Sequence, residues 1–150
     1  MSDNLYIAIG SDHAGFNYKA SIIDLLIEMG IKVNDFGTFS SESVDYPDFV
    51  HPVAESVEKK ETDFGILVCG SGQGVCITAN KHQGIRAALC WKPELAEMTR
   101  KHNNANILCL AERFMSLEDV HEIVKTFLNT PFEGGRHQRR VDKIKISNNC

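Results

Sequence analysis

The stretch DFGILVCGSGQGVCITANK, residues 63–81, contains the pattern that decides the fold. Residues 64–68 form a short apolar run rich in branched side chains, which is typical of a strand buried on both faces of a sheet. Residues 70–74 follow as a glycine-rich turn, and glycine adopts backbone angles that other residues avoid. Residues 75–81 then favour a helix. The stretch therefore predicts a strand–turn–helix unit, with Cys69 as the last residue of the strand.

The thiol of Cys69 is the part of this unit that suggests chemistry. Ligands bind at the carboxyl ends of strands in open α/β sheets, and a helix N-terminus favours an anion such as a thiolate. The spacing excludes a Walker loop, because Gly74 is followed by Val75 rather than Lys, and it excludes the common thiol phosphatases, which need an Arg at that position. The alternative is a structural turn with a buried, inert cysteine, since Cys is among the most buried residue types.

The rest of the chain repeats the alternation of strand and helix. Apolar runs predict strands at residues 5–9, 31–36, 85–89 and 107–110, and each is followed by a segment of helical pattern. A capping box at Ser116 precedes the fifth helix, and a basic helix beginning near Arg136 closes the chain. Strands that alternate with helices imply a parallel sheet covered on both faces. We therefore expect one α/β domain over residues 1–150, with a three-layer α/β/α Rossmann-like fold, a five-stranded parallel sheet and an extra C-terminal helix.

The composition is that of an ordinary globular protein, with 43% apolar and 24% charged residues. A net charge of −4 argues against general nucleic-acid binding. No apolar run approaches the roughly 20 residues of a membrane span, and the N-terminus lacks a signal-peptide pattern. The five cysteines form no paired spacing that predicts disulfides or a zinc site, so we expect a reducing cytoplasm and, apart from Cys69, inert thiols.

Polar side chains also follow the first and fifth predicted strands. Asp12 and His13 come directly after the first strand, and Arg113 follows the fifth. Because the carboxyl ends of parallel strands meet at one edge of a sheet, these side chains are expected near Cys69. The alternatives are a helix cap for Asp12 and an ordinary surface position for Arg113.

Two further groups of polar residues lie at helix ends. His102 and Asn103 close the fourth helix, where His also stabilises the helix dipole and Asn is a common stop. Arg136 and Arg140 are four residues apart, so they share one face of the last helix and can hold a phosphate together. The alternative for these arginines is a solvated basic helix.

These motifs together resemble the type B ribose-5-phosphate isomerases, of the family that also contains galactose-6-phosphate isomerase subunits. The matching segments span nearly the whole chain, namely GSDHAGF (10–16), DYP (45–47), CGSGQG (69–74), ANK (79–81), GIRA (84–87), HN (102–103) with Asn106, and EGGRHQRRV (133–141). The resemblance implies a reversible isomerisation of ribose 5-phosphate and ribulose 5-phosphate through an enediolate, a step of the non-oxidative pentose phosphate pathway.

The resemblance also implies a role for each matching residue. Cys69 looks like the base that removes the proton next to the carbonyl, and His102 like the residue that helps to open the sugar ring. Some family members carry a Glu base after the glycine turn, but Val75 stands there, so the chain resembles the cysteine-dependent branch. The remaining matches are the turn around the enediolate oxygens (Gly70, Ser71, Gly72, Gln73, Gly74), the sugar contacts (Asp12, Tyr46, Asn103) and the phosphate contacts (His13, Arg113, Arg136, Arg140).

The resemblance implies no metal and no organic cofactor, and it implies a homodimer or a dimer of dimers with active sites shared between subunits. The His102 segment and the C-terminal arginines are the candidates to cross that boundary. Two alternatives remain at this point. One is an isomerase of a six-carbon phosphosugar such as allose or galactose 6-phosphate, and the other is a phosphosugar-binding module without catalysis.

Overall fold

The computed structural model describes residues 4–146 of the protein. It contains one parallel sheet of five strands in the order β2-β1-β3-β5-β4. The strands are β1 (Tyr6–Ser11), β2 (Lys32–Asp35), β3 (Phe64–Cys69), β4 (Ala87–Leu89) and β5 (Ile107–Ala111). The helices are α1 (Phe16–Glu28), α2 (Tyr46–Glu58), α3 (Gln73–Ala79), α4 (Pro93–Asn103), α5 (Leu117–Asn129) and α6 (Arg136–Asp142), with a short 3₁₀ turn at Glu112–Phe114.

Helices cover both faces of the sheet, which confirms the predicted three-layer α/β/α fold and the extra C-terminal helix. One core contains residues of α1, α4 and α5, such as Leu26, Ala96 and Phe127, packed against one face of β1, β3 and β5. The other core contains residues of α2 and α3, such as Val53 and Val75, packed against the opposite face. The central strand β3 is buried on both faces, as its continuous apolar sequence requires.

The strand order places a crevice at the carboxyl ends of β1 and β3. The chain leaves β1 for β2 on one side and returns to β3 on the other, and α1 and α2 consequently lie on opposite faces of the sheet. Such a reversal of direction is where open α/β sheets bind their ligands. Ser11 at the end of β1 is paired with Val68, next to Cys69, so both predicted loops begin at this crevice.

Several predicted boundaries are confirmed and others are shifted. Helix α4 ends at Asn103, as predicted, and the Ser116 side chain caps α5 by accepting the Asp119 N–H at 3.2 Å. Helix α2 begins at Tyr46, and Pro47 fits its first turn. Strand β4 begins at Ala87 rather than residue 85, since the Arg86 N–H donates to the Asn106 side chain instead of a neighbouring strand.

Among residues 4–146, none of the helices combines the length and the apolar character needed to cross a membrane. Cys150, one of the cysteines predicted to be inert, lies outside the described residues.

Candidate active site

The Cys69 thiol lies at the carboxyl end of β3, buried beneath the glycine turn. Its Sγ accepts a hydrogen bond from the Gly72 backbone N–H at 3.2 Å. The turn thus supplies the thiol with a fixed donor, and the sequence-based expectation that Cys69 ends the strand is confirmed.

The glycines of this turn are required by close contacts. Gly72 has φ of +71°, and a Cβ at this position would lie 2.4 Å from Leu89 Cδ1. A Cβ at Gly70 would lie 3.2 Å from Arg113 Cζ, so the guanidinium lies directly against the turn. The Arg113 N–H also donates to the Gly70 carbonyl at 3.0 Å. Ser71 and Gln73 are exposed on the outer side of the turn, above the buried thiol.

Tyr46 reaches the same turn from the start of α2. A Cβ at Gly74 would lie 2.6 Å from Tyr46 Cζ, so the phenol ring lies flush against the backbone of the first turn of α3. Only a residue without a side chain permits this approach. The structure thereby brings Tyr46, the glycine turn and Cys69 together.

Asp12 and His13 lie beside this turn, after β1. The Asp12 N–H donates to the Val68 carbonyl at 3.3 Å, and its carboxylate accepts the Gly15 N–H at 3.1 Å. The His13 Nδ1 accepts the Val44 N–H at 3.2 Å. A neutral ring that accepts at Nδ1 carries its proton on Nε2, where it can donate to an anionic oxygen. Asp12, His13, Tyr46, the glycine turn and Arg113 therefore form one group at the carboxyl edge of the sheet, which we call the carboxyl-edge group.

The other predicted residues form a second group, which we call the amino-edge group. It contains His102 and Asn103 at the end of α4 and Arg136 and Arg140 on α6, and α6 packs against α4. His102 stacks on His137 with ring centroids 4.3 Å apart. A cleft of about 370 Å³ opens here, and it is lined by His102, Asn103, His137, Arg140, Val141 and Ile144.

The two groups lie at opposite edges of the sheet. Residues that follow α4 lead into the amino end of β5, and the Asn106 carbonyl accepts the N–H of Gly65 near the start of β3. Cys69 lies at the far end of the same strand, and four residues of strand span about 13 Å. Within one chain the structure therefore does not bring His102, Asn103, Arg136 and Arg140 to the Cys69 turn.

The Arg100 side chain links the segments that form the amino edge, a role that the sequence did not indicate. The side chain is buried, with its guanidinium 4.8 Å from the Phe64 ring. Its Nη1 donates to the Ala105 carbonyl and its Nε to the Thr130 carbonyl at 3.2 Å. These bonds tie the end of α4, and hence His102, to the segment that leads into α6. In the sequence, an Arg in the last turn of a helix indicates only a favourable interaction with the helix dipole, so this structural role was not predicted.

Burial and charge shift several titrating groups. Burial, the His102 ring and the Arg136 guanidinium lower the pKa of His137, against the opposing effect of Glu133.

The pKa of the Cys76 thiol is lowered to about 7, chiefly by a hydrogen bond with Cys109 and with burial opposing the shift. Burial raises the pKa of Cys109 well above its ordinary value. The inert character expected of Cys76 and Cys109 stays a prediction, and Cys109 lies inside β5.

One set of side chains within residues 4–146 has the spacing of metal ligands, and none of the three was predicted to bind metal. It consists of His102, Glu133 and His137, whose donor atoms all lie within 4.8 Å of one another. The signal in the sequence was the i, i+4 spacing of Glu133 and His137, which the two intervening glycines obscured.

Comparisons with known proteins identify the family of the chain. Residues 7–144 match the profile of the family described as Ribose/Galactose Isomerase. The chain belongs to this family. It is 47% identical over 138 residues to the ribose-5-phosphate isomerase B of Escherichia coli strain K12, covering 92% of this chain and 93% of the relative.

Solved structures extend the similarity to three dimensions. The ribose-5-phosphate isomerase B of Clostridium thermocellum superimposes with a TM-score of 0.92 at 53% identity, covering 93% of this chain and 95% of that one. The ribose-5-phosphate isomerase B of Mycoplasma genitalium, solved with bound ribulose-5-phosphate, superimposes with a TM-score of 0.91 at 46% identity. That match covers 96% of this chain and 95% of the other, so it includes both groups of predicted site residues.

Proposed function

We propose that this protein is an aldose–ketose isomerase that interconverts ribose 5-phosphate and ribulose 5-phosphate through an enediolate. The observation that carries the proposal is the buried Cys69 thiol under a glycine turn, in a chain that resembles, over 96% of its length, a protein solved with ribulose-5-phosphate. The relatives named as ribose-5-phosphate isomerases favour a five-carbon substrate over the six-carbon alternative.

Cys69 acts as the base in this proposal. The proton on the carbon next to a carbonyl is weakly acidic, so a base is effective only if the carbonyl oxygen is stabilised as charge develops on it. The Gly72 N–H that donates to Sγ at 3.2 Å fixes the position of the thiol, and the thiolate is the form that accepts a proton. Val75 cannot replace the thiol, since its side chain carries no acceptor and is fully buried.

The glycine turn and Ser71 stabilise the enediolate. The turn exposes Ser71 on its outer side, while its glycines allow a substrate to approach the backbone N–H groups closely. A donor placed where the oxyanion develops contributes about 10²–10³ in rate. The resemblance assigns Asp12 and Tyr46 to the sugar and His13 and Arg113 to the phosphate. All four side chains lie at the carboxyl edge beside the turn, which supports this assignment.

The active site is completed by a second copy of the chain. The amino-edge group is separated from Cys69 by the length of β3, which is about 13 Å. It consists of His102, Asn103, Arg136 and Arg140. In a homodimer, the amino edge of each subunit can face the carboxyl edge of the other. Such a dimer contains two complete sites, each built from both subunits, and a dimer of dimers contains four. Large apolar side chains exposed on the described surface, including Ile77, Trp91 and Met98, favour such an interface.

In this proposal His102 of the partner subunit transfers protons during ring opening. The partner subunit's Arg136 and the partner subunit's Arg140 bind the phosphate together with His13 and Arg113. A histidine gains and loses a proton near neutral pH, which suits the transfer between ring oxygen and hydroxyl. The phosphate is remote from the reacting carbons, so its binding holds the sugar in position for the chemistry.

Two further parts of the proposal concern the chain as a whole. We place the protein in a reducing cytoplasm, because Cys69, Cys76, Cys90 and Cys109, the cysteines within the described residues, are all unpaired. Residues 1–150 form a single domain in this proposal, since one sheet organises both cores of the described part.

The direct test measures isomerisation of ribose 5-phosphate by the wild type, Cys69→Ala and Cys76→Ala. Cys76→Ala is the matched control, because it removes a thiol from α3, one turn beyond the glycines. Loss of a positioned base is expected to lower kcat by about 10²–10⁴ in Cys69→Ala alone. Wild-type turnover in a folded Cys69→Ala variant contradicts the mechanism, and uptake of solvent deuterium at the carbon next to the carbonyl supports the enediolate. A higher kcat/KM for six-carbon phosphosugars contradicts the substrate.

A further inference from the structure

Lys19 is a buried cation of α1 that the proposed reaction does not use. The residue is 2% exposed, and its Nζ donates to Oδ1 and Oδ2 of Asp35, the last residue of β2, at 2.7 Å each. The ring centroids of Phe16 and Phe39 lie 5.8 Å and 5.2 Å from Nζ. Burying an ammonium group is costly, and a buried ion pair often stabilises a fold no more than a well-packed apolar pair does. An apolar pair would therefore serve the fold equally well, which directs attention to what the ion pair holds in place.

The Asp35 carboxylate joins Lys19 to the loop that follows β2. Its Oδ1 also accepts the Gly37 N–H at 2.9 Å. The loop then pairs with the end of β1, because the Ser11 N–H donates to the Gly37 carbonyl at 2.8 Å and the Thr38 N–H donates to the Ser11 carbonyl at 2.8 Å. The ion pair thus anchors the start of the loop beside the end of β1, from which the carboxyl-edge group extends.

The far end of the same loop contacts two members of the carboxyl-edge group. The Val44 N–H donates to His13 Nδ1 at 3.2 Å, and Tyr46 begins α2 with its ring against the backbone at Gly74. Residues 36–45 contain neither helix nor strand, so the path of the loop depends on the contacts at its two ends. A loop released from Asp35 would therefore carry Val44 away from the imidazole.

The contact between Val44 and His13 decides which nitrogen of the ring carries the proton. A neutral imidazole that accepts a backbone N–H at Nδ1 has its proton on Nε2, and that nitrogen then donates to an anionic oxygen. Without a fixed donor at Nδ1 both tautomers are populated, and the ring presents a lone pair to the phosphate for part of the time. The loop therefore sets the hydrogen-bonding character of His13.

We propose that the Lys19–Asp35 ion pair positions His13 for phosphate binding. It fixes the loop from which Val44 selects the tautomer of the imidazole, and neither member of the pair touches the substrate. The link from the ion pair to the tautomer stands on the contacts of the loop alone. The effect on phosphate binding rests on the proposed function, in which His13 binds the phosphate of the sugar.

A direct effect of charge makes a different prediction. If the ammonium group attracted the phosphate through its field, removal of the Asp35 charge would strengthen binding and removal of the Lys19 charge would weaken it. In the positioning role either substitution breaks the same link, so both weaken binding. The sign of the effect in Asp35→Ala therefore separates the two roles.

The structural arm of the test is imidazole ¹⁵N NMR of the full-length protein without substrate, at about pH 8, where an ordinary imidazole is neutral. His13→Asn identifies the signals of this ring. The wild type should show an unprotonated Nδ1 and a protonated Nε2, and Lys19→Met and Asp35→Ala should each shift the ring towards a mixture of tautomers. The double variant Lys19→Met/Asp35→Ala leaves no unpaired buried charge, so it keeps the test valid if a single variant does not fold.

The matched control is Ser56→Ala, which also removes one member of a buried polar pair. Ser56 is 2% exposed near the end of α2, and its hydroxyl lies 3.0 Å from the Thr62 hydroxyl. This variant should keep the wild-type His13 spectrum and the wild-type kcat/KM.

The functional arm measures kcat/KM for ribose 5-phosphate. Each single variant should lose about tenfold, because a hydrogen bond to the charged phosphate is weakened, and the double variant should lose about tenfold rather than a hundredfold, because both changes break one link. An unchanged His13 spectrum in a folded Lys19→Met variant, or an equal change in Ser56→Ala, overturns the positioning role. Opposite changes of kcat/KM in Lys19→Met and Asp35→Ala assign the effect to charge and overturn it as well.

The two arms separate this proposal from the proposed function. A His13 tautomer that depends on the ion pair, in a wild-type protein without turnover, contradicts the proposed function and leaves the positioning of the ring standing. Turnover that is unaffected in both single variants, although the tautomer changes, contradicts the role in phosphate binding.

Discussion

The carboxyl-edge group and the amino-edge group are built in different ways. At the carboxyl edge the functional groups are held by the backbone: the Gly72 N–H lies on the Cys69 sulfur, and glycines let Arg113 and Tyr46 lie against the turn. At the amino edge, exposed arginines of a seven-residue helix rest on the end of α4. The first arrangement suits chemistry that depends on fixed geometry, and the second suits the capture of an anion.

Neither group is sufficient alone for the proposed reaction. The carboxyl edge has a thiol and oxyanion donors but its only histidine, His13, has Nδ1 engaged by the loop at Val44. The amino-edge group has the half-buried His102 and the cationic side chains, but no thiol lies among its residues. The difference teaches that each edge contributes half of a site, so the reaction should depend on contact between two chains.

The strongest test of this division is complementation between two inactive variants. Cys69→Ala and His102→Asn subunits carry different tags, are co-expressed, and are purified over both tags. In a dimer with shared sites, one site then receives both intact residues and the other receives neither. The heterodimer should therefore recover about half of the wild-type kcat per dimer, from a background reduced by about 10²–10⁴.

The control is a dimer of two Cys69→Ala subunits with the same two tags, which should stay inactive. A heterodimer as inactive as its parents means that the two edges do not combine across chains, and the comparison between them loses its functional meaning.

The arginines of the amino edge give the next largest effect. Arg140→Ala should lower kcat/KM for ribose 5-phosphate by roughly 10- to 100-fold, because a hydrogen bond to a charged group contributes about 1.5–3 kcal/mol. Arg113→Ala, at the opposite edge, should cause a loss of similar size if both bind one phosphate. The steady-state kcat/KM of each variant is the measurement.

Arg139→Ala is the matched control, since it removes an exposed guanidinium from the same helix without facing the cleft. An equal loss in Arg139→Ala would indicate a general effect of positive charge rather than a specific contact. A loss in Arg113→Ala but not in Arg140→Ala would confine the phosphate to the carboxyl edge.

The sequence predicted the carboxyl edge better than the amino edge, for physical reasons. The position of Cys69 follows from local rules: an apolar run makes a strand, and glycines end it. The bounds of α4 likewise follow from Pro93 at its start and Asn104, with φ of +47°, at its end. Such features depend on neighbours in the chain and can be read from it.

Other features depend on partners far apart in the sequence. The β2-β1-β3-β5-β4 order arises from packing of helices onto both faces, which no local pattern encodes. The stacking of His102 on His137 joins residues of two helices, and the buried Arg100 bonds to a carbonyl thirty residues away. The resemblance therefore predicted which residues form the site. Only the structure shows that a single chain places them at two opposite edges of the sheet.

The stability of the amino edge should depend on Arg100. Arg100→Met keeps most of the side-chain volume but leaves the Ala105 and Thr130 carbonyls without their donor. Leaving buried acceptors unpaired should lower the free energy of unfolding by roughly 2–4 kcal/mol, as measured by urea denaturation. Lys101→Met is the control, since its ion pair with Glu97 lies on the surface, where such pairs contribute little to stability. Equal losses in the two variants would mean that Arg100 does not organise this edge.

The smallest expected effect is a pH dependence that belongs to the amino edge. The pKa of His137 is lowered in the folded protein, chiefly by burial and by the positive charges of His102 and Arg136. The unfolded chain therefore binds a proton at His137 more readily than the folded one, so stability falls as pH decreases from about 6.5 through the lowered pKa. His137→Asn should flatten the stability curve in this window, which urea denaturation at several pH values measures. A slope that survives in His137→Asn would assign the effect to other groups, and the amino edge would then lack the electrostatic strain that distinguishes it from the carboxyl edge.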